Sequence, residues 1–161
     1  MSIKIRDEHR RAIGAHGEQT YPQECCGLML GRVVDGTRVV EEVSAVKNAR
    51  LDSPRNRYLI PPDEVVKGDR YARERGLDII GFYHSHPNVV ARPSEFDREH
   101  AWPWYSYVIV SVKEGAAAEL HSWVLRDDRS QFDQEEIILE EELIHGSQDS
   151  HPDAASALRG Q

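Results

Sequence analysis

The sequence is short of the features that would place it outside the cell or inside a bilayer. It has two cysteines among 161 residues, and they are neighbours, Cys25 and Cys26. Adjacent residues of a strand point to opposite faces and bridge poorly, so no disulfide framework is expected and both thiols read as reduced and structural. No apolar run approaches the ~20 residues that cross a membrane as a helix. The opening stretch "MSIKIRDEHRRAIGAHGEQ" is charged throughout and lacks the apolar core and cleavage site of a secretory signal, which makes the cytoplasm the expected compartment. Basic residues are also in deficit. Twenty Lys and Arg against 28 Asp and Glu give a net charge of −8, which argues against binding a nucleic-acid backbone. Eight of the acids fall within residues 127–144 against one Arg, a pattern expected of a solvated face beside a strand. Aromatics are few as well, but 39% hydrophobic and 30% charged residues keep the chain within the range of a folded, soluble globular protein.

A chain of this length suits one domain, expected over residues 1–145, followed by a polar, small-residue segment from Gly146 to Gln161 that reads as a mobile tail. Residues 4–18 read as a helix. "ECCGLMLGR" reads as a buried strand, and the turn signal "VDG" returns "TRVVEEVSAV" antiparallel to it. Residues 47–60 are loop-like, with one short strand around Tyr58. "PPDEVVKGDRYARERG" has Pro62 near its start, acids in its first turn and Gly76 at its stop, a helix signature. "LDIIGFYHSH" is a second buried strand, and Pro93 and Ser94 open a short helix to about Ala101. "YSYVIVSV" and "AELHSWVLR" form a further pair, and "EEIILEE" reads as a last strand, with helix left open for so short a run. The order implies an α/β domain with a mixed, twisted sheet flanked by helices.

Chemistry concentrates in "FYHSHPNVVARPSEFD", residues 82–97. His84 and His86 lie two apart, so on a strand both imidazoles project from one face and can approach a single ion at about 2 Å. A catalytic zinc typically takes three protein ligands and leaves the fourth position open; Asp97 is the nearest further candidate. A second interpretation stands beside it, because Ser94 and Asp97 also have the spacing of a helix capping box. Hydrolysis at such a site needs a proton acceptor, and Glu24, heading an apolar strand, is placed to have its pKa raised by burial. Position alone also fits a plain loop glutamate ahead of a strand, and Glu95 and Glu99, which flank Asp97 on a helix expected to turn them elsewhere, are competing candidates.

Taken together, Glu24 in "YPQECCGLMLG", "HSHP" at 84–87, Ser94 and Asp97 resemble the JAMM (MPN+, Mov34/PAD-1) metalloprotease family, whose signature is a glutamate followed far downstream by His-x-His-Pro-x6-Ser-x2-Asp. "GFYHSHP" and "WPWYSYVIVSV" are similar to its small prokaryotic members, and the likeness covers about residues 5–142. The resemblance implies a cytidine-deaminase-like α/β fold. It implies one Zn²⁺ held by His84, His86 and Asp97, Glu24 as the proton shuttle between the attacking water and the leaving amine, and Ser94 as oxyanion donor. It also implies cleavage after the C-terminal glycine of a ubiquitin-like protein. An extended tail threads a narrow groove by adding to a sheet edge; the expected groove elements are the 47–60 loop around Asn48 and Tyr58, and the segment after Asp97. That second segment, Arg98 to Tyr105, is short, which speaks against the selectivity of deubiquitinases that carry an insertion there. The expected partner is a sulfur-carrier protein ending in Gly-Gly, by release of a C-terminal cysteine or by trimming; oligomeric state stays open.

A deubiquitinase-like isopeptidase and a non-catalytic MPN scaffold are the alternatives, the second disfavoured because every motif residue is intact. A zinc deaminase is disfavoured by the lack of a Pro-Cys-x-x-Cys ligand pair, and the zincin motif His-Glu-x-x-His is absent. Ser85 faces away from the paired histidines and takes no catalytic role. Trp102, Trp104 and Tyr105 read as core or groove-wall aromatics, and His100 and His121 as structural or surface histidines.

Overall fold

The computed structural model describes residues 1–49 and 58–140. Its elements run β1 (Ser2–Arg6), α1 (Asp7–Thr20), β2 (Cys26–Val34), β3 (Thr37–Val46), α2 (Pro62–Glu74), β4 (Asp78–Pro87), α3 (Glu95–His100), β5 (Ser106–Lys113), β6 (Ala116–Leu125) and β7 (Phe132–Glu140). The mixed sheet flanked by helices is as expected, and residues 135–140 of the last run are strand rather than helix. The tail and the stretch 50–57 lie outside the described residues; residues 58–60 form no strand.

The start of the chain differs from expectation. Residues 4–18 are not one helix, because Ile3 and Ile5 alternate at the strand period and are both fully buried. They form β1, which pairs in parallel with both β3 and β7. Only at Asp7 and Glu8, acids suited to a helix N-terminus, does α1 begin. Insertion of β1 closes the sheet in the order β1-β3-β2-β4-β5-β6-β7. The β2–β3 hairpin turns on Asp35 and Gly36, both at positive φ, as the Asp-Gly pair requires.

Alternate strand residues supply two cores. Met29 and Ile80 join Ile3, Ile5 and Val110 beneath Ile13 of α1, while Leu28, Leu30 and Ile79 join Phe82 and Tyr107 beneath Ala72 of α2. Helices thus cover both faces of β2 and β4. One of the acids expected on a solvated face is an exception: Glu135 is 5% exposed, pairs with Arg38 at 3.0 Å and accepts from the Ser106 and Ser122 hydroxyls at 2.6 and 2.8 Å. Trp104 lies over the Arg38 guanidinium. Among the described residues no helix is long and apolar enough to cross a membrane.

β4 runs between antiparallel β2 and parallel β5, with Gly81 opposite Met29 on one side and Ser106 on the other. A Cβ at Gly81 would overlap the Ser106 carbonyl oxygen, a backbone atom held in the sheet. Gly81→Ala is accordingly expected to cost about 1–3 kcal/mol, seen as a lower midpoint in urea unfolding; an unchanged midpoint would show that the sheet gives way without cost.

Candidate metal centre

The C-terminal half of β4 carries the histidines two residues apart, so both rings lie on one side of the strand and both are buried, His84 to 1% exposure. Ser85 between them turns the other way, where its Oγ accepts from the Cys25 N–H at 2.8 Å. The β2–β4 pairing sets Cys26 opposite His84 and so brings Glu24, just ahead of β2, alongside the imidazoles at 3% exposure. Asp97 arrives from the other direction. Ser94 caps α3, its Oγ accepting from the Asp97 N–H at 3.1 Å, while Asp97 Oδ2 accepts from the Ser94 N–H at 2.8 Å. The capping box anticipated as a rival to the metal site is present, and it delivers Asp97 to the histidines.

The three donor atoms converge. His84 Nε2 and His86 Nε2 are 3.2 Å apart, and Asp97 Oδ2 is 3.3 and 3.2 Å from them respectively. A tetrahedral zinc with ligands at about 2.0–2.1 Å requires donor separations of about 3.3–3.4 Å, so the triangle fits the ion with little adjustment. Ligand atoms of Glu24, His84 and His86 also lie within 4.8 Å of one another. The tighter set is the one with Asp97, which leaves Glu24 beside the triangle rather than in it.

Electrostatics agree with that division. Burial pushes the His84 imidazole below its ordinary range, so at neutral pH it is the uncharged, electron-donating form. Burial alone would raise the Asp97 carboxyl, but His84 and His86 outweigh it and hold Asp97 well below the usual carboxylate range. Glu24 goes the other way: burial, then the negative charge of Asp97, push it from 4.5 up to about 9, and its buried Oε1 has no hydrogen-bond partner among the described residues. An orphaned carboxyl beside three converged donors is placed to meet a polar group, such as a water, that enters between them.

Metal-free, this Glu24 shift has a sign that can be checked. Below the unfolded value of 4.5 both states are protonated and nothing is lost; as pH climbs towards about 9 the unfolded chain alone ionises, and stability falls. Glu24→Gln removes the effect and should stabilise the metal-free protein by up to roughly 3 kcal/mol at pH 7. Thermal unfolding in chelator should show the gap between variant and parent widening from pH 5 to pH 8; a constant gap contradicts the burial argument.

Described residues from both segments expected to form a groove, Tyr58 to Ile60 from one and His100 and Trp102 from the other, come together beside Asp97. A cavity of about 190 Å³ is lined by Tyr58, Phe82, Phe96, Asp97, Trp102 and Tyr107, among others. Trp102 is 65% exposed, a wall rather than core residue. Asn48 and Tyr58, expected to meet substrate, make contacts within the framework: Asn48 Nδ2 donates to the Glu24 carbonyl at 3.1 Å, its Oδ1 accepts from the Leu59 N–H at 3.0 Å, and the Tyr58 ring stacks on His84 with centroids 4.3 Å apart. Sequence reasoning missed that stack, and missed the Val90 carbonyl, 2.9 Å from His86 Nδ1, because a backbone acceptor leaves no mark in residue type. Cys25 and Cys26 are free and buried, and burial pushes their thiols up to about 11 and about 12, so neither is a ready nucleophile or ligand. His100 is exposed and stacks on Phe96; His121 contacts Glu119.

Residues 6–126 match the family described as prokaryotic homologs of the JAB domain. Among curated proteins, the chain is 38% identical over 111 residues to a desampylase of Haloferax volcanii, covering 68% of this chain and 75% of that one. It is 36% identical over 95 residues to a probable TtuB-protein conjugate cleaving protease of Thermus thermophilus, covering 59% of this chain and 60% of the relative. A solution structure of a protein from Desulfitobacterium hafniense superposes with a TM-score of 0.77 at 34% identity, covering 89% of this chain and 97% of the other. The fold around the converged donors, the motif and these matches lead to one conclusion: the chain belongs to the prokaryotic JAB/MPN family, the JAMM hydrolases.

Proposed function

We propose that this protein is a zinc-dependent peptidase or isopeptidase that hydrolyses the bond after the C-terminal glycine of a ubiquitin-like protein, with a Gly-Gly-ended sulfur carrier as substrate. The observation that carries this reading is the triangle of His84 Nε2, His86 Nε2 and Asp97 Oδ2 at 3.2–3.3 Å beside the buried Glu24 carboxyl. His84, His86 and Asp97 hold the zinc. When bound, the ion supplies Lewis-acid polarisation at the scissile carbonyl.

The remaining work falls to the chain's own groups. Glu24 takes a proton from the attacking water and passes it to the departing amine. Burial holds it protonated in the metal-free protein, and a cation bound at the neighbouring triangle would lower its pKa towards neutral. Ser94 Oγ uses a lone pair to accept from the Asp97 N–H, which leaves its single O–H to donate to the oxygen that gains charge on the scissile carbonyl. Capping and catalysis thus draw on different capacities of one hydroxyl.

The cavity beside Asp97, walled by Tyr58, Phe96 and Trp102, offers apolar surface to a tail threaded past the donors. The relatives named as a desampylase and as a protein-conjugate cleaving protease support a protein substrate. The reaction is assigned to the cytoplasm, where thiols such as Cys25 and Cys26 stay reduced. Gly-Gly carriers extended by Cys or by a short peptide, incubated with the zinc-loaded protein, should yield products whose mass ends at the second glycine. Intact carriers throughout would overturn the reading.

A further inference from the structure

The two paired histidines are held in different ways. A metal-binding imidazole usually donates its second ring N–H to an acceptor, which fixes tautomer and orientation. His86 follows the rule, with Nδ1 2.9 Å from the Val90 carbonyl. His84 does not: its Nδ1 is buried and has no hydrogen-bond partner among the described residues. What touches the His84 ring instead is Tyr58, stacked face to face with centroids 4.3 Å apart and planes inclined by 22°.

Tyr58 is itself tied down through its neighbour. Leu59 donates its N–H to Asn48 Oδ1 at 3.0 Å and accepts from the Ala49 N–H at 3.1 Å, and Asn48 Nδ2 reaches the Glu24 carbonyl at 3.1 Å. One asparagine therefore links the backbone of the proton acceptor to the segment that presses an aromatic ring on a metal ligand.

Resting on the function proposed above, we infer that Tyr58 and Asn48 form a positioning brace: stacking by Tyr58 orients the His84 imidazole in place of the hydrogen bond it lacks, and Asn48 sets Tyr58 relative to Glu24. The brace acts before any substrate arrives. A π-face restrains ring tilt without consuming a ring nitrogen.

The test measures zinc affinity, without substrate, by competition with a chromophoric chelator on the full-length protein. Tyr58→Phe keeps the ring and should bind within about threefold of the parent, whereas Tyr58→Leu and Asn48→Ala should bind roughly 10–100-fold more weakly, the usual cost of losing a residue that orients a ligand. A second readout works on metal-free protein and on any variant that retains its circular dichroism: the His84 ring protons should be shifted upfield by the Tyr58 ring in the parent and in Tyr58→Phe, and return to ordinary values in Tyr58→Leu. Unchanged zinc affinity and unchanged His84 resonances in Tyr58→Leu would overturn the brace. So would a loss in Tyr58→Phe as large as in Tyr58→Leu, since the hydroxyl and not the ring would then be acting. A parent protein that binds no zinc would instead overturn the function on which the brace rests.

Discussion

The Glu24→Gln protein is expected to bind one zinc ion as tightly as its parent and to turn over substrate about 10²–10⁴-fold more slowly, the usual contribution of a positioned acid–base group. The amide fills the same buried space, so the cluster around it should stand. It cannot accept a proton from water or return one to the amine. Glu24 lies beside the tight donor triangle rather than within it, and that is why metal binding and turnover should separate. The loss should fall on kcat with KM little changed, because proton transfer and not ground-state binding is removed. Steady-state kinetics on an extended Gly-Gly carrier, with zinc content measured on the same sample, checks both halves. A variant that keeps a tenth or more of parental kcat would remove Glu24 from the reaction.

Asp97→Asn isolates the other half of the site. An Asn side-chain oxygen can still accept from the Ser94 N–H, so the capping box that starts α3 is expected to survive with a stability change below the ~1 kcal/mol typical of losing a cap. The negative charge that partners the two imidazoles is gone. Zinc affinity should fall by at least about 100-fold, beyond the range seen when only an outer partner of a ligand is lost, and hydrolysis should fall with metal occupancy. Ser94→Ala is expected to make the complementary case: zinc should stay, the helix lose its cap and, on the role proposed for Ser94, turnover fall for want of an oxyanion donor. If Asp97→Asn kept parental zinc affinity, Asp97 would be a capping residue alone.

The site was more legible in the sequence than the frame around it. The spacing of His84 and His86 translates directly into a shared strand face, and Ser94 to Asp97 into a cap, because both depend on local periods of two and three residues. Glu24 required more, since only the β2–β4 register brings it beside residues sixty positions on. Where partners are distant and backbone-borne, sequence reasoning stopped short. β1 was hidden because "SIKIR" reads on into the charged helix behind it, and its parallel partners include β7, more than 120 residues away. Glu135 sits in an acidic run that looks solvated throughout, and nothing local marks the Arg38 that neutralises it across the sheet. The Tyr58 stack depends on where a loop returns, which neither residue type nor period specifies.

The central claim is that His84, His86 and Asp97 hold the metal while Glu24 stands beside it. Crystals of the zinc-loaded protein, with anomalous differences collected on both sides of the zinc edge, test this directly. The account predicts one peak per chain within about 2.0–2.2 Å of His84 Nε2, His86 Nε2 and Asp97 Oδ2, with both Glu24 oxygens farther out. A peak bound by Glu24, with Asp97 left to its helix cap, would contradict it, as would loaded crystals with no peak between the histidines.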